Sequence, residues 1–122
     1  MQKIKQQVAD QSERISEIAC KCFFRALNQR GDDVQHHLLR AERLYGIAID
    51  AEPRSAVYRN NRALVREVKG DFEAAFLDFA AAKRLCNGNA EQASVVEQNS
   101  LKVRERISPE RQSALAEPIR IA

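Results

Sequence analysis

Residues 56–89 read AVYRNNRALVREVKGDFEAAFLDFAAAKRLCNGN, and part of their pattern occurs earlier in the chain. The segment LLRAERLYGIAIDAEP, residues 38–53, aligns with FEAAFLDFAAAKRLCN, residues 72–87, at an offset of 34 residues. This offset pairs Ala41 with Ala75, Tyr45 with Phe79, and Ala48 with Ala82. Residues spaced by four and three positions lie on one face of a helix. Each segment therefore predicts a helix whose alanines allow a neighbouring helix to pack closely around the aromatic ring.

The middle of residues 56–89 has the pattern of two helices joined by a tight turn. Gly70 suits the left-handed conformation that ends a helix, and Asp71 is a typical cap for the next one. The run NNRA, residues 60–63, lies on the helix before this turn. We therefore predict helices over residues 55–68 and 72–86.

A 34-residue period with this turn and this spacing resembles the tetratricopeptide repeat (TPR), a helical hairpin that stacks into a superhelix. The resemblance covers about residues 18–89 and implies repeats at about 18–55 and 56–89. The repeat core that it implies is Ala41, Tyr45, Ala48, Ala63, Gly70, Phe72, Ala75, Phe79 and Ala82. Arg59 and Arg66 depart from the family's aromatic positions, and Asn87 replaces its helix-ending proline.

The N-terminal part of the chain predicts one unusually long helix over residues 3–29. Its apolar residues recur at spacings of three and four, and its stripe begins with Ile4, Val8 and Ile15, which we expect to be exposed. The turn at Gly31 lies 39 residues before the turn at Gly70, which is five residues more than the 34-residue period. We assign the five extra residues to a second helix over residues 33–51.

The C-terminal part predicts an amphipathic capping helix over residues 90–107 and an extended tail over residues 108–122. The expected fold is all-α: a TPR-like α-α superhelix of two helical hairpins with a long N-terminal helix and a C-terminal capping helix. Residues 1–107 form its single domain.

Composition agrees with a soluble helical protein, because the 122 residues include only four Gly and three Pro. A net charge of +3 is too small to indicate nucleic-acid binding, and no apolar run is long enough to span a membrane. The N-terminal segment lacks an apolar signal core and carries Asp10 and Glu13. We expect a cytoplasmic protein whose three cysteines are reduced.

No cluster of residues indicates catalysis, a metal site or a cofactor. Cys20 and Cys22 lie two residues apart on a helix, so their side chains diverge, and the same holds for the adjacent His36 and His37. Cys86 ends a helix, where the helix dipole disfavours a thiolate nucleophile. We therefore predict no catalytic residues, no bound metal and no cofactor.

A basic stripe lies on the helix before Gly70 and comprises Arg59, Arg62, Arg66 and Lys69. One interpretation is a patch for an acidic partner or RNA. The other is a solvated face paired with Glu67, Glu73 and Asp78, or arginine stems packed over Phe72 and Phe76. RNA recognition would normally add exposed aromatic residues, and only seven aromatic residues are present.

The TPR resemblance implies a ligand groove lined by the first helix of each hairpin. The residues that it places there are Lys21, Arg25, Asn28, Val57, Asn60, Asn61 and Leu64. The Asn61 amide could bind the backbone of an extended peptide, or it could join neighbouring helices. Lys21 and Arg25 would suit a carboxylate, so the partner is a protein segment, helical or extended, of acidic character.

Three functions are compatible with this resemblance and with the exposed stripe of the long N-terminal helix. The first is a non-catalytic interaction module or adaptor, and the second is a permanent subunit of a large assembly. The third is a co-chaperone that binds acidic chaperone tails. Lys21 and Asn61 match the carboxylate clamp of such co-chaperones, but Glu91 and Val95 stand where the clamp needs lysine and arginine.

Overall fold

The computed structural model describes residues 2–29, 31 and 33–116, most of which are helical. They form six helices: α1 (Gln2–Asn28), α2 (Asp33–Ala51), α3 (Ala56–Lys69), α4 (Phe72–Leu85), α5 (Ala90–Glu105) and α6 (Pro109–Ala116). The all-α fold class is confirmed. Helices adjacent in the chain pack on each other from α1 to α5, and α3 also contacts α5.

Two apolar clusters hold these helices together, one around Tyr45 and one around Phe79. The first joins α1 to α2 and is completed by Val65 of α3. The second joins α3 to α4 and is completed by Val96 and Val103 of α5. Tyr45 and Phe79 therefore have equivalent surroundings, because each ring lies between the two helices of its own hairpin and is covered by the next helix. This equivalence explains why the two rings are separated by the 34-residue period.

The small residues of the repeated pattern are fully buried between helices: Ala41, Ala48, Ala63, Ala75 and Ala82. Their short side chains let the helix backbones approach closely. Tyr45 and Phe79 are each 2% exposed, whereas Phe72 is half-buried beneath the guanidinium of Arg106, which lies 5.1 Å from the ring centroid.

The turn between α3 and α4 depends on the backbone of Gly70, which has a φ of +89°. The Gly70 N–H donates to the Glu67 carbonyl at 3.0 Å, and the Asp71 N–H donates to the Arg66 carbonyl at 2.9 Å. These bonds satisfy carbonyls that the end of α3 would leave unpaired. Asp71 was expected to cap α4 through its side chain but makes no such bond, because its carboxylate pairs with Lys69 at 3.1 Å.

The extended tail predicted over residues 108–122 is wrong for residues 109–116, which form α6. Pro109 opens this helix, a position where proline is tolerated because its missing N–H would be unpaired anyway. The Ser108 hydroxyl accepts a hydrogen bond from the Arg111 N–H at 3.2 Å and so begins the helix. Residues 117–122 lie outside the described residues.

Helix α6 is attached to α4 and α5 by polar side chains. The Arg111 guanidinium makes two hydrogen bonds, of 2.7 and 3.1 Å, to the Glu73 carboxylate on α4. The Gln112 amide donates to the carbonyls of Arg104 and Ile107 at 2.8 and 2.9 Å. Helix α5 consequently ends at Glu105, two residues before the predicted boundary, and is followed by a sixth helix.

The N-terminal half of α1 is only partly exposed. Ile4 is 64% exposed, as expected, but Val8 and Ile15 are half-buried, so the expectation of an exposed stripe was wrong for both. Ser12 is fully buried, and its hydroxyl lies 3.3 Å from the Tyr58 hydroxyl on α3. The sequence pattern showed which residues share a face, but not that Ser12 of α1 would meet Tyr58 of α3.

Deleting residues 2–7 should leave the urea unfolding midpoint almost unchanged, because all six side chains are exposed. Deleting residues 2–14 also removes Val8, Ala9 and the Ser12–Tyr58 contact, and should lower the free energy of unfolding by about 2 kcal/mol. Urea titrations followed by far-UV circular dichroism measure both. Equal stability of the two deletions would contradict the packing of α1 against α3.

Candidate binding groove on helices α1, α3 and α5

Most of the basic stripe is paired within the protein. Arg62 binds both oxygens of Asp78 on α4 at 2.7 and 2.8 Å, and Arg66 binds the same carboxylate at 2.9 Å. Arg66 and Lys69 also contact the two oxygens of Glu42 on α2, at 3.0 and 3.1 Å. These cations therefore join α2, α3 and α4 and are not available as a ligand patch.

This ion-pair network differs in its partners from the one expected. Asp78 pairs with the arginines of the stripe, as expected. Glu42 takes the place of the other two expected partners, Glu67 and Glu73, and Glu73 binds Arg111 instead. Hydrogen bonding to Asp78 raises the pKa of the Arg62 guanidinium. Arg59, the remaining residue of the stripe, donates to the carbonyl of Pro53 at 3.4 Å.

A chain of polar side chains joins α5 to α3 and approaches α2. The Asn99 amide donates to Asn60 at 3.1 Å, and the Asn60 amide donates to Asn61 at 3.3 Å. Asn61 lies in turn beside the hydroxyl of Tyr45. Burial raises the pKa of that hydroxyl above its ordinary range, and the neighbouring Cys20 thiol adds to the rise. These contacts favour the interpretation of Asn61 as a link between helices.

A pocket of about 560 Å³ opens between the N-terminal halves of α3 and α5. Its apolar floor includes Val57 and Val95, which are 48% and 53% exposed, together with the buried Val96. Its polar lining consists of Asn60, Asn61, Asn89, Glu91 and Gln92. Apolar side chains that stay exposed beside amide groups can contact both the side chains and the backbone of a peptide.

A second pocket of about 620 Å³ lies on the other side of Val57. Helix α1 contributes Ala9, Ser12, Glu13 and Ser16, the segment before α3 contributes Glu52, Arg54 and Ser55, and α3 contributes Val57 and Tyr58. Because Val57 lines both pockets, they form one surface that crosses α1, α3 and α5. We call these two adjoining pockets the α1–α3–α5 groove.

Only part of the predicted groove lies in this surface. Val57, Asn60 and Asn61 line it, whereas Leu64 packs against the cluster around Phe79. The three predicted residues of α1 line neither pocket and are exposed: Lys21, Arg25 and Asn28. The Asn28 amide instead donates to the carbonyl of Phe24 in its own helix, at 2.8 Å.

The misplacement of the α1 residues has a simple geometric cause. The buried alanines Ala19 and Ala26 of α1 correspond to Ala56 and Ala63 of α3 and precede them by 37 residues. The prediction used the 39-residue distance between the turn glycines instead. A slip of two residues rotates a helical position by roughly 200°. It therefore moved the predicted residues of α1 to another side of that helix.

The corrected register identifies two residues that the sequence analysis missed. Phe24 and Leu27 occupy the positions equivalent to Asn61 and Leu64, and they are 58% and 52% exposed. They share a helical face with Cys20, which lies beside Tyr45. Aligning the alanines rather than the glycines would have found both residues.

A third pocket, of about 360 Å³, lies between α4, α5 and α6. Its floor includes Phe76 and Val96, and its rim carries Lys83, Glu97 and Arg104. Both cations bind Glu97, Lys83 at 2.8 Å, and together they lower the pKa of the Glu97 carboxyl. The rim charges are thus paired with each other, which distinguishes this pocket from the α1–α3–α5 groove.

Metal binding and membrane insertion would each require a recognisable arrangement in the described part of the chain. No group of three or more His, Cys, Asp or Glu side chains is placed there to hold a metal ion. Within residues 2–29, 31 and 33–116, no helix combines the length and apolarity needed to cross a membrane.

Comparisons of the chain with models of protein families, with curated proteins and with solved structures find no match. The fold and the groove define the class as an all-helical protein with an open, partly apolar groove across three of its helices.

Proposed function

We propose that this chain is a non-catalytic, TPR-like interaction module that holds a segment of another protein in the α1–α3–α5 groove. The observation that carries the proposal is Val57, an exposed apolar side chain shared by both pockets of the groove. Exposed Val95 on α5 extends this apolar surface. Such a surface suits contact with a protein segment.

The polar and charged residues of the fold support the same proposal. The cations of α3 are largely used in joining that helix, which carries Val57, to α2 and α4. The three cysteines are free thiols, which suits a module that works in the reducing cytoplasm.

Replacing Val57 by Asp is expected to reduce capture of partner proteins about tenfold, because binding would bury an unpaired charge. The tagged chain is incubated with cell extract, and the captured proteins are quantified by mass spectrometry. Ile47→Asp is the matched control, since Ile47 is 51% exposed on α2 and lines neither pocket of the groove. Equal loss in both variants, or loss in neither, would contradict the proposal.

A permanent place in a large assembly is the second candidate, and exposed Ile4 on the first turn of α1 favours it. In that case one set of proteins should be captured in constant stoichiometry. The deletion of residues 2–7 would then reduce capture more than Val57→Asp does. A changing set of partners that depends on Val57 would favour the adaptor.

A further inference from the structure

The α1–α3–α5 groove is acidic, although the chain has a net charge of +3. Glu13 and Glu52 lie in the pocket between α1 and α3, and exposed Glu91 lies in the pocket between α3 and α5. Among the residues that the structure describes, Arg54 is the one basic residue that lines either pocket. The carboxylates therefore flank Val57 on both sides, and they outnumber the cations where a partner would enter.

The dimensions of the groove indicate the form of its occupant. Directly packed helices lie about 8–10 Å apart, and α1, α3 and α5 pack mainly on the helices between them, so the path from α1 across α3 to α5 is at least roughly 16–20 Å. An extended chain rises about 3.3 Å per residue and needs about six residues or more for that path. A helix would need about twice as many residues for the same distance. The exposed amide of Gln92 can bond to an extended backbone as it crosses.

We propose that the groove binds an extended, cationic segment of a partner protein, in which Lys or Arg residues flank a central apolar residue. The apolar side chain contacts Val57 and Val95. One cation faces Glu13 and Glu52, and the other faces Glu91. This inference rests on the proposed function and reverses the acidic partner expected from Lys21 and Arg25, which line neither pocket.

Selection from a library of random twelve-residue peptides displayed on phage tests this inference with the intact chain immobilised. Peptides enriched on the wild type should carry excess Lys and Arg around an apolar residue, and a rise in ionic strength should weaken their binding. The triple variant Glu13→Gln, Glu52→Gln, Glu91→Gln should bind the selected peptides about tenfold less tightly, since it removes three charge contacts, from the exposed Glu13 and Glu91 and the half-buried Glu52.

The matched control removes three exposed carboxylates that lie outside the groove: Asp33→Asn, Asp50→Asn, Glu110→Gln. It changes the net charge by the same amount and should retain the wild-type affinity. Equal weakening in both triple variants would mean that the total charge of the protein, and not the groove, attracts the peptide. That result would overturn the inference. Circular dichroism spectra verify that both variants remain folded.

The remaining outcomes separate this inference from the proposed function. Enriched peptides that depend on Val57 but carry acidic residues, or no charge preference, would overturn the cationic partner and leave the interaction module standing. No enrichment on the wild type relative to Val57→Asn, which removes the apolar side chain without adding a charge, would contradict both. Self-association that Val57→Asp abolishes, measured by light scattering, would assign the groove to a second copy of the chain.

Discussion

Phe79→Ala is expected to lower the free energy of unfolding by about 3–5 kcal/mol, the cost of deleting a buried aromatic side chain. Phe79 is 2% exposed and belongs to the cluster that joins α3, α4 and α5. Its removal would leave a cavity among Ala63, Ala75 and Val96, which cannot fill the space without moving whole helices. Because small domains are stable by only about 5–15 kcal/mol, this loss is a large fraction of the total.

Urea titration of the wild type and the variant measures the loss, and Phe24→Ala provides the matched control. Phe24 is 58% exposed, so the same truncation should cost far less there. If Phe79→Ala fails to fold, Phe79→Leu keeps much of the side-chain volume and should be destabilised by a smaller, measurable amount. A nearly neutral Phe79→Ala would refute the position of this ring in the core.

Asp78→Asn is expected to lower the free energy of unfolding by about 3 kcal/mol, because it leaves two arginines without a shared carboxylate. The Asp78 side chain is 5% exposed and accepts three hydrogen bonds, two from Arg62 and one from Arg66. An amide at this position carries no charge and would turn N–H donors towards the guanidinium donors. Arg66 keeps its contact with Glu42, which limits the damage.

Glu73→Gln is the control for this substitution. It breaks the ion pair between Glu73 and Arg111, whose side chains are about half exposed, and should have a far smaller effect. A double-mutant cycle with Arg62→Met tests the coupling, because Asp78→Asn should cost less when the guanidinium of Arg62 is absent. Additive effects of the two substitutions would contradict the paired geometry.

The helical part of the fold was largely predictable because it depends on local spacing. Ala75, Phe79 and Ala82 share one helical face wherever α4 lies, and Gly70 adopts a backbone conformation that few other residues favour. The helix at residues 109–116 was missed because residues 108–122 were predicted as an extended tail, although Pro109 stands near the start of that segment. Proline is equally compatible with the first turn of a helix.

The candidate site was less predictable, because it depends on which sides of separate helices meet. Val57, Asn60 and Asn61 were predicted from residues 56–89, the clearer copy of the repeat, and they line the groove. Lys21 and Arg25 were predicted from an alignment of α1 with α3 that is shifted by two residues. The amide pair Asn60–Asn99 spans 39 residues of sequence, and no local pattern relates its two members. The partners of the basic stripe were equally non-local, since Glu42 lies on a different helix.

The sequence by itself determined the helical class, the 34-residue period and the two buried aromatic positions, because the side-chain order within a helix is a local property. Tertiary packing determined that Arg62 and Arg66 stabilise the fold, and that Glu13, Glu52 and Glu91 flank one groove. The charge that stays exposed on such a surface depends on which charged groups pair with each other. That pairing is settled only when distant helices come into contact.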